Sequence, residues 1–334
     1  MKKTLLCAYL GLLACFLLLY VPAPETAREP VGDAAPAETG PAPVLPAGET
    51  VALLLPDGNI EERALEEYLL GVIAAEMPAD FPMEALKAQA VAARTYALYC
   101  ADGDKHGAAD LCTDPGCCQA YQNEAARRDK WGADFERCEG RIAQAAAETA
   151  GQVLLYEGRA VFAAFHSSSA GATEDCGAVW NPRPYLVSVS SPETAETVPN
   201  FISTLRCAPL DFRDALLSIS PESDFSGPEE AWLGALTRDQ SGRVASCVIG
   251  GVTFKGMALR SLFSLRSTAF TLDYAEGEFV FTAAGFGHGV GMSQYGARIM
   301  AEQGSGYAEI LAHYYPGTVL TALRPGDAQE RSGS

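Results

Sequence analysis

Hydrophobic positions along this chain fall into distinct patterns, and each predicts a different element. Residues 5–21 form an apolar run interrupted only by Tyr9, Gly11 and Tyr20. About 17 residues is the short end of what spans a bilayer, whereas a cleavable signal usually has a shorter apolar region and a small-residue cleavage site. Ala14-Cys15 resembles a lipoprotein cleavage site, but Phe16-Leu17-Leu18-Leu19 continues the run. The reading is an uncleaved single-pass anchor over 1–21, with a cleaved signal or a lipid anchor as alternatives. Lys2 and Lys3 keep the tip in the cytoplasm and leave everything after Val21 outside.

Val51-Ala52-Leu53-Leu54-Leu55 followed by Asp57-Gly58-Asn59 predicts a strand and a hairpin end. Leu65, Leu69, Val72 and Ile73 then recur at helical spacing until Pro78 stops them. A second, Ala-rich helix is predicted from Met83 to Cys100 and a third over 134–150. Strands follow at 152–157 and 160–165, hinged at Glu157-Gly158. The stretch 167–245 mixes loops with short helices at Pro209–Ile219 and Pro228–Thr237. Strands resume at 246–254 and 278–283. A glycine-rich loop, 285–291, opens a helix near Met292–Glu302, and Ser305 is the expected N-cap of a last helix ending near His313. Helices and strands in this order predict α+β: one elongated extracytoplasmic unit over 49–322 with a substrate cleft. The Pro/Ala-rich stretch 22–48 reads as a flexible stalk, and 323–334 as a loose tail.

Composition narrows the partners. The chain has 334 residues, 48% of them hydrophobic, enough for a full core. Its formal charge of −18 argues against nucleic acid or anionic lipid, which demand a basic face. Any cation that serves function must therefore act locally.

Glu76 continues the Leu65–Leu69–Val72 stripe to the end of its helix. Desolvation there raises a carboxyl's pKa and keeps the proton that a general acid needs, although a helix-terminal Glu can also simply reach for water. Lys87 and Arg94 sit seven residues apart on one helix face, positioned for an anion; Glu84 and Lys87 alternatively make an ordinary i, i+3 pair. His106, Cys112, Cys117 and Cys118 crowd together with spacing that suits a structural zinc, with disulfides involving Cys100 or Cys138 as the competing reading. Cys176, Cys207 and Cys247 show no readable pairing. His288, Ser293, Gln294 and Tyr295, in and after the glycine loop, are candidates to line a sugar cleft; His288 equally suits bracing the turn. No Lys-Ser/Thr follows that loop, so a phosphate loop is excluded. His166 with Ser167-Ser168-Ser169 lacks a nucleophile elbow and reads as cleft bracing.

Glu66-Glu67-Tyr68-Leu69-Leu70-Gly71-Val72, Ala75-Glu76-Met77-Pro78 and Glu84 through Tyr96 closely resemble the stage II sporulation protein D family, with further matching blocks at His106–Tyr121, His166–Gly171 with Pro184-Tyr185-Leu186, and Gly285–Ala297. The resemblance runs from about residue 50 to 320 and extends to the amidase-enhancer proteins. It implies a lytic transglycosylase that splits the β-1,4 bond between N-acetylmuramic acid and N-acetylglucosamine without water and leaves a 1,6-anhydro end. By resemblance Glu76 is the catalytic acid, Lys87 and Arg94 are functional cations, and Tyr185 is a cleft tyrosine. A zinc site is supported in some members, although Cys117 stands where a His can occur. A hydrolase would need a second carboxylate, and no comparable motif supplies one. Family members prefer glycan stripped of stem peptides, so the freed lactyl carboxylate is an expected ligand of Lys87 or Arg94. The resemblance also implies peptidoglycan strands as substrate, a partner amidase, membrane proteins of an engulfment complex, and a place on the mother-cell side of the intermembrane space. Two rivals stand: a non-catalytic amidase enhancer, and a zinc peptidase or amidase, which the lack of His-Glu-x-x-His disfavours.

Overall fold

The computed structural model describes residues 50–103 and 105–323. The expected anchor and stalk, and nearly all of the expected tail, lie outside these residues. Among the described residues no helix is long and apolar enough to cross a membrane.

Strands β1 (Thr50–Leu54) and β2 (Ile60–Ala64) form the expected hairpin, with Leu54 opposite Ile60 and the Asp57 carboxylate accepting from the Asn59 N–H at 3.0 Å. The chain passes straight into α1 (Leu65–Glu76), which buries Leu65, Tyr68, Leu69, Val72 and Ile73. Met77 is extended and Pro78 follows, so the helix ends on Glu76. Helix α2 (Met83–Ala101) is buried along most of its length, because alanines at 85, 88, 90, 92 and 93 let neighbours approach closely. Strand β3 (Leu111–Cys112) runs parallel to β1.

Helix α4 (Phe135–Glu148) is the helix expected over 134–150, and an additional helix, α3 (Glu124–Trp131), precedes it. Asn123 marks the extra helix: its side-chain oxygen accepts from Ala126 N–H at 2.9 Å as an N-cap. Strands β4 (Gln152–Tyr156) and β5 (Arg159–Ala160) turn at Glu157 and Gly158, both in the left-handed region. The expected strand 160–165 is reduced to β5 and β6 (Phe165–His166), and a short helical turn, α5 (Cys176–Val179), follows.

The first core gathers α1, α2 and α4 with β1 and β4. A second core, not anticipated, is built by residues 202–284. It contains β7 (Ile202–Cys207), α6 (Pro209–Ile219), β8 (Leu233–Arg238), β9 (Val244–Ile249), β10 (Val252–Lys255), α7 (Gly256–Leu262), β11 (Phe270–Ala275) and β12 (Glu278–Ala284). Two antiparallel sheets, ordered β10-β9-β8 and β11-β12-β7, enclose Phe254, Phe270, Phe279 and Phe281, and Phe212 of α6 stacks on Phe279 at 3.9 Å. Each such ring contributes roughly 1.5–3 kcal/mol of burial. The helix expected at Pro228–Thr237 is a correction: only a 3-10 turn at Glu229–Ala231 forms, and the chain then joins β9 as a strand.

From β12 the glycine loop returns the chain to the first core. There β13 (Met292–Ser293) pairs in parallel with β6, before α8 (Gln294–Glu302), α9 (Tyr307–Tyr314) and β14 (Val319–Ala322), which pairs with β4. Met292 and Ser293 are therefore strand, with Ser293 capping α8. The last helix starts after Gly306, whose N–H bonds Glu309 Oε2 at 2.9 Å, and not after Ser305. The loop must be glycine where it crosses β6. A Cβ on Gly291, held at φ +70°, would lie 2.0 Å from the Ala164 carbonyl oxygen. Gly291→Ala is therefore expected to lower stability by about 2–4 kcal/mol, read from denaturant melts.

Candidate active site

Glu76 is half-buried where α1 ends. Its Oε1 accepts the backbone N–H of Ala120 at 2.9 Å, and its Oε2 accepts Gln294 Nε2 at 3.3 Å. Burial pushes its pKa above the ordinary carboxylate value, against the two hydrogen bonds, which pull it down. Burial thus favours the protonated form of Glu76, while two donors stand ready for the charge that appears when the proton leaves.

Two open cavities meet at this carboxyl, of about 480 Å³ and 690 Å³, and share Glu76, Ser167 and Gln294 as wall residues. The smaller is also lined by Trp131, Phe81 and Tyr295, with the last two rings edge-to-face at 5.2 Å. Asp80 and Asp134 lie on its wall as well, but both are engaged by Arg137, at 2.5 and 3.4 Å. The larger cavity carries Phe162, Trp180, Phe286, His288 and Arg260.

Gln294 and Tyr295 therefore lie beside Glu76 as expected from the sequence. His288 lines the larger cavity, but its Nδ1 is committed to the loop. Nδ1 accepts from Val290 N–H at 3.1 Å and the ring also bonds the Phe165 backbone, while burial first, then Arg260, drives its pKa down to about 4. It presents a neutral ring against Trp180, 4.8 Å away, and braces the loop. His166 is buried, with its Nε2 2.7 Å from the Ser169 hydroxyl. Ser169 N–H and the Ser293 hydroxyl both donate to Glu193, so this network ties the wall together behind Gln294.

Three sequence expectations come out differently. Arg94 is 1% exposed and makes a bidentate pair with Glu66 at 2.7 and 2.8 Å, while also donating to the carbonyls of Ala146 and Gln152. Lys87 bonds Glu84 at 2.9 Å and Glu148 at 2.5 Å. A shared helix face places both cations, but carboxylates from α1, α2 and α4 pair with them, and neither lines the two cavities that meet at Glu76. Tyr185 sits just behind the wall: its hydroxyl accepts the N–H of Phe162 at 3.1 Å, and Phe162 is the residue facing the cleft. Arg94→Gln is expected to lower stability by about 2–4 kcal/mol, read from denaturant melts, since it removes a buried guanidinium that ties Glu66 to the carbonyls of Ala146 and Gln152.

His106, Cys112, Cys117 and Cys118 bring one ligand atom each within 4.8 Å of one another, with His106 Nε2 3.1 Å from Cys118 Sγ and 3.6 Å from Cys117 Sγ. A tetrahedral zinc with bonds of about 2.0–2.3 Å spaces its ligands in that range, so the donor set fits. The described cysteines are all free thiols, Cys100 and Cys138 included. The cluster anchors the turn that carries Ala120, the backbone donor to Glu76. Trp131, Trp180, Phe286 and Arg260 escaped the sequence reading. Phe286 within the glycine loop and Trp180-Asn181-Pro182 are the local signals the sequence offers.

The fold and site define a class: an α+β protein with a partly buried carboxyl, its pKa raised, at the junction of two open cavities and beside a Cys₃His cluster. Residues 58–156 match the family model described as stage II sporulation protein. The chain is 37% identical over 267 residues to stage II sporulation protein D of Bacillus amyloliquefaciens, covering 79% of this chain and 76% of that one. The Bacillus subtilis (strain 168) protein of the same name is also 37% identical, at the same coverage. An amidase enhancer of Bacillus subtilis (strain 168) is 29% identical across 76% of this chain and 40% of its own length. The chain belongs to the stage II sporulation protein D family.

Proposed function

We propose that the protein is a lytic transglycosylase that cuts peptidoglycan glycan strands, preferably those stripped of stem peptides, during engulfment in sporulation. The observation that carries this reading is the position of Glu76: a carboxyl whose pKa burial raises, at the junction of two open cavities. That arrangement suits a linear polymer with its scissile bond at the acid.

Glu76 gives its proton to the glycosidic oxygen as the bond to the muramyl C1 breaks. The carboxylate left behind is held by Ala120 N–H and Gln294 Nε2. It then takes the proton of the muramyl 6-hydroxyl as that oxygen closes on C1, which gives the 1,6-anhydro ring and restores the acid. No water enters, so one carboxyl suffices, in keeping with Arg137 occupying Asp80 and Asp134. Zinc held by His106, Cys112, Cys117 and Cys118 would be structural, with all four positions filled by protein. The sporulation setting rests on the names of the relatives, and a membrane anchor before residue 22 would hold the enzyme on the extracytoplasmic side.

The amidase-enhancer relative favours a second reading, a glycan-binding module that stimulates a partner amidase without cutting. Purified protein incubated with stripped glycan separates the two: release of anhydro ends supports the transglycosylase, while glycan binding without release supports the enhancer.

A further inference from the structure

In a chain of net charge −18, Arg260 is an unusual arginine. It is half-buried on α7 and lines the larger cavity that Glu76 shares. Its one hydrogen bond runs from Nε to the Leu265 carbonyl at 3.3 Å, and no carboxylate pairs with it among the described residues. Burial lowers its pKa. Leaving a half-buried guanidinium without an anion is costly, and Arg94 and Arg127, more deeply buried, both have carboxylates.

A second cation stands behind it. Arg243 is 1% exposed, and none of its three guanidinium nitrogens has a hydrogen-bond partner among the described residues; Glu174 approaches only to 3.8 Å. The two histidines nearby, His166 and His288, are kept neutral by burial and by these arginines, so they add no competing charge and no anion. Glu174, Asp239 and Glu193 balance Arg243, which leaves Arg260 as the guanidinium on this wall with no carboxylate partner among the described residues.

The same wall carries two rings open to solvent, Trp180 at 42% and Phe286 at 45% exposure. Phe286 is backed by the Arg266 guanidinium at 4.4 Å and Trp180 by Phe162 and His288, at 5.3 and 4.8 Å, which fixes both faces. Exposed aromatic faces suit the C–H face of a sugar ring, and a bare guanidinium suits a carboxylate.

We propose that this end of the larger cavity is a subsite for an acidic sugar, in which Arg260 binds a carboxylate while Trp180 and Phe286 hold the sugar rings. The assignment rests on the glycan-cutting reading and refines it. On a stripped strand the carboxylate is the free lactyl group of N-acetylmuramic acid, whereas a stem peptide turns that group into a neutral amide. Discrimination for stripped strands then resides in Arg260 and not in Lys87 or Arg94, whose charges are already paired.

The test is equilibrium binding to the full chain carrying Glu76→Gln, so that nothing is cut. The probes are an N-acetylglucosamine/N-acetylmuramic acid tetrasaccharide with free lactyl carboxylates, its methyl ester, and neutral chitotetraose. The acid is expected to bind roughly tenfold to a hundredfold tighter than the ester. Adding Arg260→Gln should erase that difference and leave chitotetraose binding unchanged, and Arg260→Lys should keep part of it. Equal binding of acid and ester by the Arg260-containing chain overturns the subsite, as does a preference that survives Arg260→Gln. The first comparison needs no change at Arg260, so it decides the matter even if Arg260→Gln fails to fold. Binding of none of the three sugars, with no anhydro release by the wild-type chain, overturns the glycan-cutting reading as well. Anhydro release without acid preference overturns the subsite alone.

Discussion

Replacing Glu76 with glutamine is expected to lower anhydro-end release on the order of a thousandfold, because the amide keeps the shape but has no proton to give. Binding of stripped glycan should survive, since Gln294, Tyr295 and the cavity walls remain in place. Stability moves the other way. Burial raises the folded pKa of Glu76, so the folded chain binds the extra proton over the interval between the ordinary and the raised value. Its contribution favours folding at acid pH and is lost as pH rises through the folded value. Glu76→Gln removes that loss, and the variant should melt at or above the parent temperature at neutral and alkaline pH. The rate should fall in the same direction: activity declines as pH rises through the Glu76 titration and the acid is emptied. A variant that loses activity by unfolding would fail the melting comparison, and one that cuts normally would remove Glu76 from the mechanism.

The second large effect lies in the Cys₃His cluster. Full-length protein purified without chelator is expected to carry one zinc per chain by metal analysis. Stripping it, or introducing Cys112→Ser, should lower the melting temperature by on the order of 10 °C, since a closed structural site contributes several kcal/mol of folding free energy. The turn bearing Ala120 hangs from Cys117 and Cys118, so cutting should fall as well, by displacement of the Glu76 donor. Re-added zinc should restore both. Loss of activity with an unchanged melting curve would contradict a structural role and revive a zinc-dependent chemistry. Sensitivity to reductant alone would point to disulfides in place of the free thiols seen here.

What was legible in the sequence was local. Helices α1 and α2 were readable because an apolar stripe and a run of good helix formers write their own period, and Pro78 writes the end. Glu76 followed from that, as the polar residue terminating a buried stripe. The metal cluster was readable from residue type, because few other uses bring three cysteines and a histidine within such a short loop. Lys87 and Arg94 show the limit. Their seven-residue spacing states which face they share, but not that Glu148 and Glu66 wait on neighbouring helices. Family resemblance singles out these residues and carries no geometry.

The second core was illegible for a related reason. Its strands are short, several have both faces partly exposed, and each is stabilised by partners far along the chain; Phe279 pairs with Cys207 across 72 positions. Leu233 and Leu236, at i, i+3, mimic a helix while lying in β8. Arg260 carried no signature at all. Its significance comes from what it lacks, an anion, and only the folded structure reveals that.

The proposed reaction requires a single carboxyl to do acid and then base work with no water taking part. The most direct test is the mass of the fragments that the purified full-length chain releases from peptide-free glycan. Fragments ending in 1,6-anhydro muramic acid, lighter by one water than a reducing end, are the predicted outcome. Fragments carrying ordinary reducing ends would show that water attacks, and that Glu76 works with a partner this account denies it.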